Sequence, residues 1–194
     1  TLLSKNSKLT IKDVNINSSR IGIIKILNMM GAQIKLINKR KYKGEIIGDV
    51  FVRSRKKLKA IKLDSSLNSS AIDEFLLIFL VASKCDGISS FKKLSELNKK
   101  ESKRLNWSFK ILKMMGIETV RTKNFGIKIK GNVDLNLNGT YVIKNYLKDH
   151  RIFMVSTIAA LTFGGDWKIY DPDSFKTSFP TFLKTLKYLG AKIK

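Results

Sequence analysis

Three stretches of the chain share one pattern of apolar and polar positions. In each, apolar residues recur every three or four positions, which is typical of one buried face of an amphipathic helix. A glycine follows each helical pattern, where it favours the left-handed conformation just past a helix end, and the alternating residues after it predict a strand. The predicted helix–glycine–strand units are residues 20–36 with Gly31, residues 104–120 with Gly116, and residues 179–194 with Gly190.

Two further stretches are apolar on every side. Residues 72–84 and 149–163 each begin with a short charged cluster and then continue with few polar positions. A helix that is apolar all round belongs in a protein core rather than on a surface. We therefore predict two buried helices, each followed by a turn, at Asp86-Gly87 and at Gly164-Gly165.

Short runs that alternate or carry β-branched residues predict the strands. These runs are residues 9–16, 48–53, 58–63, 125–131, 133–137 and 166–171. Asn138-Gly139 predicts a hairpin turn between residues 133–137 and 140–143. The order predicts an α/β fold of repeated β/α units with buried helices and outer sheets, in a single compact domain over residues 1–194.

Composition excludes several classes of protein. The longest apolar run, residues 75–82, is too short to cross a bilayer. The first ten residues lack the apolar segment of a secretory signal. One cysteine, Cys85, excludes an internal disulfide and fits a reducing compartment, and one Cys with one His disfavours a zinc site.

The formal net charge of +23 raises the alternative of a basic nucleic-acid-binding module. Nucleic-acid sites cluster basic groups on one face and favour arginine and aromatic side chains. Here only seven of the 38 basic residues are arginines, and the lysines are spread over the whole chain. A nucleic-acid partner is therefore not expected, and a general bias toward lysine accounts for the charge.

Charged clusters stand where the helices are predicted to begin. A helix N-terminus carries unpaired N–H groups and attracts anions, so Asp or Glu is ordinary there and Arg or His is not. The clusters suggest a site for a phosphate or carboxylate, although Asp73 also fits a cap, Glu101 a first-turn charge and His150 a structural histidine. The positions are Asp73-Glu74, Lys100-Glu101-x-x-Arg104, Asp149-His150-Arg151 and the predicted cap Ser178-Phe179-Pro180.

Several short sequence motifs, in this order along the chain, resemble those in the C-terminal portion of the 5-enolpyruvylshikimate-3-phosphate synthase family. Lys-Glu-Ser-x-Arg and Asp-His-Arg-Ile are specific in combination, and the resemblance covers nearly all 194 residues. The words are Asn17-Ser18-Ser19-Arg20-Ile21-Gly22, Met30-Gly31-Ala32, Lys43-Gly44-Glu45, Ile72-Asp73-Glu74-Phe75, Lys100-Glu101-Ser102-x-Arg104-Leu105, Asp149-His150-Arg151-Ile152-x-Met154 and Ser178-Phe179-Pro180-x-Phe182.

The resemblance implies one lobe of a bilobal enolpyruvyl transferase, with the N-terminal lobe absent. The implied reaction transfers the enolpyruvyl group of phosphoenolpyruvate to the 5-hydroxyl of shikimate 3-phosphate and releases phosphate, in the shikimate pathway to chorismate and the aromatic amino acids. It implies no metal or organic cofactor, no membrane partner, a cytoplasmic location and a monomer when complete. We expect the fragment alone to be inactive.

The resemblance also implies residue roles. Asp73 matches a candidate general base for the attacking hydroxyl, and Glu101 a second acid/base at the enolpyruvyl methylene. Lys100 matches a lysine beside the substrates, and Arg104 and Arg151 match arginines that bind phosphoenolpyruvate through bidentate contacts. His150 matches a supporting residue.

The chain departs from the family's usual motifs at several positions, but it keeps every residue to which the resemblance gives a role. The departures are Asn98-Lys99 in place of Arg-Val, Lys103 in place of Asp, Leu147-Lys148 before Asp149, Ser18 in place of Pro, and Thr177 where some members carry a lysine. Alternatives are a relative of the UDP-N-acetylglucosamine enolpyruvyl transferase, the nucleic-acid-binding module, and a decayed copy without activity.

Overall fold

A computed structural model describes residues 1–55 and 57–193 as six helices and nine strands joined by short turns. The helices are α1 Gly22–Met29, α2 Asn68–Ala71, α3 Phe75–Ala82, α4 Arg104–Met114, α5 His150–Phe163 and α6 Phe182–Tyr188. The strands are β1 Lys8–Asn15, β2 Lys35–Tyr42, β3 Glu45–Arg53, β4 Lys62–Leu63, β5 Ile88–Phe91, β6 Thr119–Thr122, β7 Gly126–Lys130, β8 Leu137–Ile143 and β9 Gly164–Ile169. Short 3₁₀ helices span Ile72–Glu74, Ser95–Lys99 and Ser174–Thr177.

The strands form three separate sheets. The first has the order β1-β3-β2 and is antiparallel. The second has the order β4-β5-β7-β6, in which β4 and β5 run parallel and the other pairs antiparallel. In the third, β8 pairs with β9 in parallel. Each parallel pair is connected through a buried helix, α3 or α5, because parallel strands need a long crossover.

The helices α3 and α5 lie inside and the sheets outside, which confirms the predicted fold class. Seven of the eight residues of α3 and seven of the fourteen residues of α5 are buried. Phe75, Phe79 and Phe91 pack ring against ring where α3 meets β5. One connected cluster of buried apolar residues runs from Leu2 to Phe182. Within residues 1–55 and 57–193, no helix is long and apolar enough to cross a membrane.

The predicted helix ends are confirmed. Gly31, Gly116 and Gly190 follow α1, α4 and α6 with φ of 92°, 73° and 94°. Strands follow the first two glycines, but residues 191–193 form no strand, so the prediction of a third one is wrong over the described residues. The run 58–63 shortens to β4, because only its last two residues pair with β5.

The predicted hairpin at Asn138-Gly139 is wrong. β8 includes these two residues and pairs with β9. Its register with β9 shifts between Leu137 and Thr140. Residues 133–136 form no strand, and Gly164-Gly165 open β9 instead of forming a turn. The physical reason is that the partner of β8 lies beyond α5, so the pairing that extends this segment is not local.

Candidate functional site

Three helix starts bring the predicted site residues together. Asp73 lies in the 3₁₀ turn before α3, and His150 and Arg151 are the first two residues of α5. Lys100 and Glu101 lie between the 3₁₀ helix Ser95–Lys99 and α4, which itself begins at Arg104. α3, α4 and α5 pack against one another, and their N-terminal ends thereby meet.

Asp73 is the point where the cations converge. Lys100 Nζ and Arg104 Nη1 lie 3.3 and 3.2 Å from its Oδ1. Arg151 Nη2 lies 3.7 Å from Oδ2, and Nη1 donates to the Asp73 carbonyl at 2.7 Å. Asp73 does not cap α3, since no side-chain hydrogen bond is made at that helix start. The carboxylate is instead held by three cations while a third of its surface stays open to solvent.

Arg104 is buried, with 1% of its surface exposed. Its Nε donates to Asp149 Oδ2 at 2.9 Å, its Nη2 reaches Asp149 Oδ1 at 3.3 Å, and Nη2 also bonds Glu101. Together with Asp73 this gives the guanidinium three carboxylate partners. A buried charge is tolerated when it is paired and hydrogen-bonded in this way.

Asp149 belongs to one of the predicted charged clusters, but no role in the site was predicted for it. It caps α5 by accepting the Arg151 N–H at 2.9 Å, and it also accepts from Ser102 Oγ at 2.8 Å and Ser102 N at 3.3 Å. Its side chain is fully buried. Its place before a helix predicted the cap, but nothing local showed that the same carboxylate would hold Arg104 and Ser102 from another segment.

Glu74 is a second acidic neighbour without a predicted role. Its Oε1 lies 3.8 Å from Arg151 Nη1. The side chain of Glu74 is 29% exposed and that of Arg151 is 28% exposed. Arg151 is therefore the more accessible of the two arginines, while Arg104 is closed off. An anion from solvent can approach Arg151 directly, but it can reach Arg104 only if a carboxylate moves away.

Burial and the neighbouring charged groups shift the pKa values of the acidic groups in different directions. Burial raises the pKa of Asp73, but Arg151, Lys100 and Arg104 outweigh it and hold that pKa below its usual value. Burial also raises the pKa of Asp149, but the hydrogen bonds from Arg104 and Ser102 lower it by more. The pKa of Asp149 is therefore below its usual value. Burial raises the pKa of Glu74. The negative charge of Asp73 adds to this rise, and the positive charge of Arg151 opposes it.

His150 stands at the edge of this cluster. Burial lowers its pKa, with Asp149 opposing that shift and Arg151 and Arg104 adding to it. The imidazole is therefore neutral at pH 7 and available as a hydrogen-bonding group rather than as a fixed cation.

The fourth predicted cluster, Ser178-Phe179-Pro180, does not lie at the start of a helix. Ser178 does not cap α6, which begins at Phe182 with no side-chain hydrogen bond at its start. Its hydroxyl donates to the Phe175 carbonyl at 3.5 Å. The prediction of a cap at Ser178-Phe179-Pro180 is wrong, because residues 174–177 form a 3₁₀ turn of their own.

Two surface cavities lie elsewhere. They measure about 560 and 390 Å³ and share Ser90, Lys92 and Lys128 on the outer face of the second sheet. Neither is lined by a predicted site residue. In the described part of the chain, no three His, Cys, Asp or Glu side chains group in a way that could hold a metal ion. The chemistry of the cluster is that of paired carboxylates and cations.

Comparison with known proteins identifies similar sequences. The sequence profile of EPSP synthase (3-phosphoshikimate 1-carboxyvinyltransferase) matches residues 2–186. The 3-phosphoshikimate 1-carboxyvinyltransferase of Thermodesulfovibrio yellowstonii is 35% identical over 187 residues, which cover 96% of this chain and 42% of that protein. The protein of the same name from Ruthia magnifica is 37% identical over 191 residues, or 98% of this chain and 43% of that protein.

Solved structures give the same picture. The EPSP synthase of Acinetobacter baumannii superimposes with a TM-score of 0.91 and 32% identity, over 100% of this chain and 44% of that one. The enolpyruvyl transferase NikO of Streptomyces tendae superimposes with a TM-score of 0.71 at 17% identity, over 100% of this chain and 41% of that one, which is a likeness of fold alone. The chain spans less than half the length of the relatives it matches.

Proposed function

This chain belongs to the EPSP synthase family, and on that premise we propose that it supplies one lobe of a 3-phosphoshikimate 1-carboxyvinyltransferase. The proposed enzyme transfers the enolpyruvyl group of phosphoenolpyruvate to the 5-hydroxyl of shikimate 3-phosphate and releases phosphate. The observation that carries the proposal is the convergence of Lys100, Arg104 and Arg151 on Asp73. Glu101 pairs with the guanidinium of Arg104, which also pairs with Asp73. Cations beside two separate carboxylates suit acid–base chemistry on anionic substrates.

Asp73 is the proposed general base for the 5-hydroxyl. Its lowered pKa keeps it ionised at neutral pH, and about a third of its side chain is open to an incoming hydroxyl. As the hydroxyl oxygen forms its bond to C2 of phosphoenolpyruvate, Asp73 accepts the hydroxyl proton. A base must lie within hydrogen-bonding reach of the proton that it takes, and the exposed face of Asp73 allows this.

Glu101 is the proposed acid/base at the methylene carbon. It is the most exposed carboxylate of the cluster, at 53%. In its protonated form it gives a proton to C3 as the tetrahedral intermediate forms. It takes a proton back from C3 as the bond from C2 to the phosphate oxygen breaks, so the enolpyruvyl double bond is restored. The leaving phosphate takes the proton held by Asp73, which returns to its ionised form.

The cations have separate roles in this proposal. Arg151 is accessible and binds phosphoenolpyruvate directly, while Lys100 stabilises negative charge that develops in the intermediate. Arg104 is enclosed by carboxylates, so it binds phosphoenolpyruvate only after the anion displaces Glu101 from its guanidinium. That displacement frees Glu101 for proton transfer. His150 supports the site as a neutral group.

Charge balance supports the need for a second lobe. Lys100, Arg104 and Arg151 face four carboxylates, namely Asp73, Glu74, Glu101 and Asp149. Two substrates that each carry several negative charges therefore need cations from outside this cluster. We propose that residues 1–194 form one compact domain, that the other lobe supplies those cations, and that this chain alone does not turn over.

The complete enzyme is proposed to be a monomer in the cytoplasm. The buried thiol of Cys85, without a disulfide partner in the described part of the chain, suits a reducing compartment. The substrates are small phosphorylated acids, which fit a metabolic enzyme rather than a nucleic-acid-binding module.

The test is phosphate release after an N-terminal lobe from the same gene or a close relative has been restored. We expect release that depends on both shikimate 3-phosphate and phosphoenolpyruvate, and a fall of roughly a hundredfold or more in kcat for Glu101→Gln. Glu96→Gln is the matched control, because Glu96 is exposed and pairs only with Lys99 at 2.9 Å within the described residues. A folded, complete protein that releases no phosphate would overturn the proposal and favour a decayed copy.

A further inference from the structure

The start of α4 has no cap within its own sequence. The first N–H groups of a helix lack helical partners and are usually satisfied by an oxygen-bearing side chain at the residue before the helix. In α4 that residue is Lys103, whose side chain has no acceptor and makes no capping hydrogen bond. Arg104 N instead bonds the Ser102 carbonyl at 2.7 Å, and Trp107 N bonds the Lys103 carbonyl at 3.0 Å.

The two remaining N–H groups bind a residue from further back in the chain. Asn98 Oδ1 accepts Leu105 N at 3.1 Å and Asn106 N at 3.3 Å. Asn98 belongs to the 3₁₀ helix Ser95–Lys99, so its carboxamide joins that helix to α4. It thereby closes the connecting segment, residues 99–104, into a loop with fixed ends.

The residues inside that loop are those of the candidate site. Lys100 and Glu101 lie in its middle, and Arg104 lies at its end as the first residue of α4. Ser102 fixes the centre of the loop to Asp149, and Asn98 fixes its two ends to each other. We propose that Asn98 is a positioning residue that sets the relative placement of Lys100 and Arg104 against Asp73.

This inference rests on the proposed function, because it assigns Asn98 a role in the same site. Without the carboxamide oxygen, two N–H groups at the start of α4 lose their acceptor, and the first turn of the helix frays. Arg104 and Lys100 then move relative to Asp73. Displacements of about 1 Å at a reacting group cost up to roughly a hundredfold in rate, so a change distant from the substrate is measurable.

The experiment uses the complete two-lobed enzyme and four variants. Asn98→Ala removes the acceptor, and Asn98→Asp keeps an oxygen at the same place. Asn98→Ala combined with Lys103→Ser restores a local cap at the usual position. Asn132→Ala is the matched control: this exposed asparagine accepts the Asp134 N–H at 3.0 Å in another turn of the chain.

Two measurements are made on each variant. Hydrogen exchange at the Leu105 and Asn106 amides reports the cap without any dependence on activity. We expect protection of these two amides to fall about tenfold in Asn98→Ala and to return in Asn98→Asp and in the double variant. If the wild-type protein has no activity, the proposed function fails while this measurement still reports the cap.

Steady-state kinetics then report the positioning. We expect Asn98→Ala to raise KM for phosphoenolpyruvate and lower kcat, so that kcat/KM falls roughly tenfold, with KM for shikimate 3-phosphate changed less than about twofold. Both rescue variants recover, and Asn132→Ala matches wild type. Loss of amide protection with unchanged kinetics in an active enzyme would overturn the role, and so would equal increases in both KM values.

Discussion

At the scale of single residues, the buried guanidinium of Arg104 organises the site. A cation with 1% of its surface exposed is stable only because Asp73, Glu101 and Asp149 surround it. The sequence placed Arg104 among the candidate binding residues from its motif. Only the structure shows that its first partners are protein carboxylates, and that Asp149 is the one that is buried with it.

Replacing Asp149 by Asn tests this arrangement. The substitution keeps the shape of the side chain but leaves Arg104 with less compensation, so we expect the free energy of unfolding to fall by about 3–5 kcal/mol. Chemical denaturation provides the measurement. Asp166→Asn is the control, since Asp166 is exposed on β9 and its loss is expected to cost less than about 0.5 kcal/mol. Equal effects at the two positions would refute the role of Asp149.

The same carboxylate gives a pH dependence. Folding lowers the pKa of Asp149 from its ordinary value of 3.8, so its stabilisation is complete above that value and is lost as pH falls through the folded pKa. The difference in unfolding free energy between wild type and Asp149→Asn is therefore expected to be constant from pH 7 to about 5 and to shrink below about pH 4. A difference that stayed constant down to pH 3 would contradict the lowered pKa.

At the scale of elements, the helix ends decide where the chemistry lies. α3, α4 and α5 all start at the cluster, and each start is satisfied differently: α5 by Asp149, α4 by Asn98 from a distance, and α3 as the continuation of a 3₁₀ turn. The opposite end of α4 is closed by Gly116, which places β6 for pairing with β7. Local sequence predicted the glycine ends well, because that signal is confined to one residue.

Gly116→Ala tests the glycine at the end of α4. Gly116 has a φ of 73°, and a Cβ built there meets no atom within 4 Å, so the cost is backbone strain alone. We expect a loss of about 1 kcal/mol in the free energy of unfolding, measured by urea denaturation. Gly116→Asn serves as the comparison and is expected to cost less, because Asn tolerates this conformation better. An alanine variant as stable as wild type would show that the strain is absent.

At the scale of the whole molecule, the net charge of +23 is carried mainly by exposed lysines. On the outer face of the second sheet, Lys62, Lys92 and Lys128 line one cavity with Asp64 as the only acidic neighbour in that lining. Repulsion between like charges destabilises a compact state, and salt screens it. The candidate site is different, because there the cations are matched by carboxylates.

We therefore expect the urea midpoint to rise when NaCl is increased from about 50 to 500 mM, since the Debye length shortens over this range. The comparison is a variant in which exposed lysines of the second sheet and its turns are replaced by Gln, at Lys62, Lys92, Lys93, Lys123 and Lys128. Its midpoint is expected to start higher and to respond less to salt. A wild-type midpoint that falls with added NaCl would contradict net repulsion.

The sequence by itself determined the local features and the family. Helix periodicity, the glycine ends and the two apolar helices each depend on neighbouring residues, and the motif words placed Asp73, Lys100, Glu101, Arg104, His150 and Arg151 in one site. The structure brings Asp73, Lys100, Glu101, Arg104 and Arg151 into one cluster, with His150 at its edge, and their catalytic roles are proposals. Local signals of this kind survive folding because they do not depend on which distant segment becomes a neighbour.

Only the tertiary structure decided the rest. The pairing of β8 with β9 overrode the turn signal at Asn138-Gly139, since strand partners across a helix contribute hydrogen bonds that local propensity cannot anticipate. In the same way Asp149 and Asn98 act on residues 45 and 7 positions away in the chain. A carboxylate or an amide looks the same in a sequence whether it is solvated or buried, and burial is set by the packing of α3, α4 and α5.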